Sequence, residues 1–150
     1  MLTVDEQKHP IYYLLFDGTP TAQDTEAHLA SWERWLSEGE SFGVIQRQVG
    51  VEAGEGKPPK EGHKLEVDFF RRNRPRIAGL CFGVAIVLDS EAMLEKWQPL
   101  AAKAIENMVG CTGRAFGTVA EAVQWLEERQ AAVQENTAVP VIEGAAGESR

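Results

Sequence analysis

Apolar positions along this chain come either in short, nearly unbroken runs or at a spacing of three to four. Ile11 to Phe16 (I-Y-Y-L-L-F) is an apolar, β-prone run closed by Asp17-Gly18, a strand followed by a turn. Thr21 then offers an N-cap oxygen, with Asp24 as a short capping-box partner. Leu29, Trp32, Trp35 and Leu36 follow at helical spacing and predict one strongly apolar face, with Glu26, Glu33 and Arg34 on the other side. Gly39 is placed to end that helix. Phe42 to Val49 predicts a second strand, mixed enough in polarity to lie toward a sheet edge. Residues 50–62 are rich in Gly, Pro and charge and predict a mobile loop. His63 to Asn73 predicts a helix with a narrow apolar face, Leu65 stacking with Phe69 and Glu66 with Phe70, which Pro75 ends.

The most apolar run is Cys81 to Leu88, with Val84, Ile86 and Val87 β-branched and Phe82 aromatic. Such a run predicts a central strand covered on both faces, which needs helices on each side and so a layered α/β domain. Asp89 and Ser90 stop it with capping residues. The helix that follows, Glu91 to Met108, has a stripe of Met93, Trp97, Leu100, Ala104, Ile105 and Met108, and Pro99 predicts a kink or a break within it. Arg114 to Phe116 predicts a short strand. Thr118 with Glu121 forms a capping box for a last helix whose core face is Val119, Ala122, Trp125 and Leu126. The period fades after residue 130, and a loose tail is expected from about Asn136. One domain over 10–130 results, between a flexible 1–9 and a tail over 131–150.

At 150 residues the chain suits one domain with a real core. Its formal net charge of −8 repels phosphate backbones, which excludes nucleic acid as the expected partner. No run of about 18 apolar residues is present to span a bilayer, and the start M-L-T-V-D-E-Q-K lacks the regions of a signal peptide. Cys81 and Cys111 make neither a metal spacing nor a disulfide framework, so a reducing cytoplasm is the expected compartment.

The candidate chemistry is sparse. His9, His28 and His63 show no metal-ligand spacing, and neither a metal nor a cofactor is expected. Cys111, in the G-C-T-G turn near Arg114, is better placed for nucleophilic work than Cys81, but neither has a base within sequence reach. Gly79 and Gly83 precede or interrupt a strand, unlike the glycines of a dinucleotide fingerprint. An enzyme is therefore not expected. Arg71, Arg72, Arg74 and Arg76 crowd one helix end, either as solvated cations near its C-terminus or as a fork for an anionic partner. Trp32 and Trp35 cannot both point squarely inward beside Leu29 and Leu36 unless that face is wide, so an exposed aromatic edge is expected to mark a protein contact. Val139, Val141 and Ile142 are an apolar patch in a polar tail that a partner would order.

The ordered set C-F-G-V-A-I-V-L-D-S, M-L-E-K-W-Q-P-L-A-A-K-A-I and G-R-A-F-G-T-V-A-E-A-V-Q-W-L, with T-A-Q-D opening the first helix, resembles STAS/SpoIIAA-like (STAS/SEC14-like) domains over roughly residues 10 to 130. The resemblance implies a small mixed sheet of about four strands with helices packed on it, and a role exercised through partners. One subset of the family carries a phosphorylatable Ser or Thr at such a helix start, and the matching position is Ser90, although Glu91 and Ala92 follow here where the family's pattern has a small residue and glycine. The expected function is a non-catalytic interaction or regulatory module that binds another protein or itself. The alternative is a carrier of a small apolar ligand or lipid, which needs a pocket of roughly 300 Å³ or more between helices and sheet.

Overall fold

The computed structural model describes residues 1–50 and 60–142, with side chains described as far as residue 134. Its elements are β1 (Leu2–Asp5), β2 (Ile11–Asp17), α1 (Ala22–Glu38), β3 (Phe42–Val49), α2 (Lys60–Arg72), α3 (Arg74–Leu80), β4 (Cys81–Leu88), α4 (Glu91–Met108), β5 (Gly113–Phe116) and α5 (Val119–Ile142). The five strands form one mixed sheet in chain order. β1 runs antiparallel to β2, and β2 to β5 are parallel. This is the expected α/β class with one strand more than expected.

Each parallel step moves one place in the same direction across the sheet, so crossovers of one hand stack their helices on one face. α1 to α4 accordingly share a core with Tyr12, Leu14 and Phe16 of β2, Phe42 and Val44 of β3 and Val84 of β4. The opposite face is closed by α5 alone, where Ala122 and Leu126 meet Ile45, Phe82, Ala85 and Val87.

Local chemistry explains most boundaries. Thr21 Oγ1 accepts from Asp24 N at 3.1 Å and Asp24 Oδ2 accepts from Thr21 N at 2.9 Å, closing the expected capping box. Gly39 ends α1 at φ 73°, a left-handed conformation that costs glycine little. Thr118 Oγ1 accepts from Glu121 N at the head of α5.

Several expectations are corrected. Residues 2–5 are a strand, held by pairing with β2. β3 is the middle of the five strands, and β4 lies one place from the β5 edge. Of the predicted loop, 51–59 lies outside the described residues, while Lys60, Glu61 and Gly62 already belong to α2. Pro75 does not merely stop a helix: it sits in the first turn of α3, where its missing N–H is harmless. Pro99 lies inside a continuous α4. Leu100 on that helix is 54% exposed, because the inward stripe runs through Met93, Ala101 and Ile105 instead. α5 continues through Ile142, past the point where a loose tail was expected.

Candidate functional site

α5 lies over β3, β4 and β5 and leaves the β1–β2 side of its face uncovered. A groove of about 570 Å³ runs along that uncovered strip. The two-residue period of a strand decides its floor. Tyr12, Leu14 and Phe16 point into the α1 core, so Ile11 and Tyr13 point the other way. Parallel register sets Tyr13 beside Ile45, and Val119 and Val123, one turn apart on α5, form the facing wall. Asp5, Lys8, His9, Arg47, Glu127 and Gln130 complete a polar rim around this apolar floor.

The rim is fixed by charge. Arg47 Nε donates to Asp89 Oδ1 at 2.9 Å while Nη2 donates to Oδ2, a two-toothed fork. A third donor, Nη1, reaches Tyr13 Oη at 3.4 Å. The Arg47 guanidinium holds the Asp89 carboxyl below the usual carboxylate range, and partial burial opposes it only in part. At the other end His9 Nδ1 meets Tyr12 Oη at 2.9 Å and its Nε2 lies 3.1 Å from Glu40. Tyr12 in turn donates to Glu38 Oε1 at 3.0 Å, and burial with Glu38 pushes its hydroxyl up, so it stays a donor. The Lys8 carbonyl accepts from Ile11 N at 3.0 Å, while its side chain has no hydrogen bond or ion pair among the described residues. Among the described residues, the groove's lining holds no serine, threonine or cysteine.

The other candidate residues are dispersed. Trp32 and Trp35 are 2% and 0% exposed, which overturns the expected aromatic edge. The face is wide enough for both: Trp35 stacks on Tyr12 at 4.6 Å between ring centroids, and Trp32 meets Phe42 and Phe70 edge-on. Three of the four arginines are spent internally. Arg71 pairs with Asp68, Arg76 forks onto Glu33, and Arg74 donates to the carbonyls of Glu106 and Asn107 at the end of α4. Arg72 is exposed, its side chain makes no hydrogen bond among the described residues, and its charge adds to that of Arg76 on Glu33. Ser90 is half-buried and its Oγ accepts from Met93 N at 3.3 Å, capping α4. The side chains of Val139, Val141 and Ile142 lie outside the described residues.

Cys111 is buried, and so is Cys81, whose thiol burial pushes up. Among the described residues, no group of three or more His, Cys, Asp or Glu is placed to hold a metal, and no helix is long and apolar enough to cross a membrane. Sequence reasoning asked, in its alternative, for a pocket between helices and sheet but assigned to it none of the residues that line this groove. Its one available signal was the unbroken apolar run Ile11–Phe16, which as a strand turns Tyr13 to the face opposite Tyr12 and leaves that face apolar as well. Comparison with protein-family models, with curated proteins and with solved structures gave no match for this chain.

Proposed function

We propose that this protein is a non-catalytic carrier whose groove beside α5 holds a small ligand with an apolar body and a polar end. The groove itself carries the reading. At about 570 Å³ it exceeds the roughly 300 Å³ that a ligand pocket needs, and it has the apolar floor of such sites beneath a polar rim. The burial of Trp32 and Trp35 removes the aromatic surface on which protein docking by α1 would rest. A carrier also agrees with the SEC14-like side of the resemblance in the sequence.

Native mass spectrometry of protein purified from its own cells tests this. A retained small-molecule mass is expected on the wild type. It should be lost from a folded Val123→Trp variant, in which the indole occupies the groove. Wild-type protein that carries no small molecule but recovers a stoichiometric protein partner would overturn the proposal in favour of an interaction module.

A further inference from the structure

On the opposite face of the sheet, α1, α2 and α4 part around a cavity of about 210 Å³ that the groove reading does not use. Its walls are apolar: Trp32 and Phe70 on one side, Val84 and Ile86 below, Ile105 and Met108 opposite. Three polar side chains, His28, Glu66 and Gln46, also reach it.

The hydrogen bonds fix the state of this trio. An indole N–H can only donate, and Trp32 Nε1 donates to His28 Nε2 at 3.2 Å. That nitrogen therefore presents its lone pair, and the ring proton sits on Nδ1, which donates to Glu66 Oε2 at 3.0 Å. Edge-on contacts from Phe16 and Phe70 hold the imidazole in place. His28 is thus a neutral ring with both nitrogens engaged.

Glu66 is left half satisfied. Its side chain is 13% exposed, and among the described residues only Oε2 has a partner. The amide of Gln46 has no described partner either. A largely buried carboxylate with a free oxygen, facing a mostly apolar space, asks for a donor. No lysine or arginine lines the cavity, so its one formal charge is negative.

We infer that this cavity is a binding site for a small organic ammonium ion, its N–H groups directed at Glu66 and Gln46 and its apolar body among Phe70, Val84 and Ile105. Size sets the class. An apolar cavity of about 150 Å³ holds benzene, so about 210 Å³ admits one ring with a short amine arm. Entry is past Ala104, which is exposed, and the half-buried Met108 and Ile86.

Isothermal titration of the full chain with phenethylamine and with phenylacetate, ligands of similar size and opposite charge, tests the site. Phenethylamine is expected to bind with a Kd at or below about 1 mM and at least about tenfold more tightly than phenylacetate. Glu66→Gln should bring the two ligands level. Because that variant disturbs a buried pair, Ala104→Trp supplies an independent check: it closes the mouth from the exposed side of α4 and should abolish binding while melting like wild type. Phenylacetate binding as tightly as phenethylamine, no phenethylamine binding at about 10 mM, or full binding by a folded Ala104→Trp variant would each overturn the inference. None of these results bears on the groove beside α5, which is tested by Val123→Trp.

Discussion

A methyl group at Gly113 would sit 2.4 Å from Ile105 Cβ. That atom is anchored to the backbone of α4, so the helix itself must retreat from β5 to make room. Gly113→Ala is therefore expected to cost about 1–3 kcal/mol in urea denaturation. Gly83→Ala should cost less, because its nearest neighbours, Leu126 Cδ2 at 3.0 Å and the Trp125 ring at 3.2 Å, are the far ends of side chains that can turn. Equal losses at the two positions would contradict the packing of α4 on β5. A second residue-scale expectation concerns acid. Asp89 is held below its ordinary range by Arg47, Asp24 by the Thr21 backbone N–H and Glu33 by Arg76. A carboxyl depressed on folding stabilises the protein above its unfolded pKa, and that contribution disappears as pH falls through the folded value. Stability should thus decline below about pH 4. Arg47→Ala should weaken the protein more at pH 7 than at pH 3; a loss of equal size at both would show that the fork does not set the Asp89 titration.

Elements were legible where their cause was local. The capping box of Thr21 and Asp24 needs only neighbouring residues, and Thr21→Ala should cost about 1 kcal/mol, read as a lower urea midpoint at unchanged slope. The β-branched run of β4 declared itself for the same reason. β1 did not, because its four residues are a strand only by virtue of β2 beside them. The central place of β3 was hidden by Gln46, Arg47 and Gln48, which look like edge residues. They are tolerated inside the sheet because Arg47 finds Asp89 and Gln48 donates to the carbonyls of Phe16 and Gly18. The pairing of His28 with Glu66 spans 38 positions, so no local pattern announces it. The one hint was Glu66 on the same helical face as Phe70, a carboxylate turned inward. The groove was equally illegible, being defined by what α5 leaves uncovered.

At the scale of the molecule, the sheet has two unequal faces. Four helices share one, and the other depends on α5 for Ile45, Phe82, Ala85 and Val87. Truncation before Val119 bares a contiguous apolar surface and should give aggregated protein. Soluble, cooperatively melting protein from the shorter chain would show that α5 is dispensable.

This division of labour has a consequence in time. A chain is made from its N-terminus at about 5–20 residues per second, and α5 follows every strand it covers. The sheet can pair its strands while its second face is still open, so for several seconds of synthesis the nascent chain displays the surface that Leu126 will later seal. Slow codons or a pause near residue 119 would lengthen that window and invite chaperones or a neighbouring nascent chain to occupy it. The half-made protein is the vulnerable species, and its last helix is the event that ends the risk.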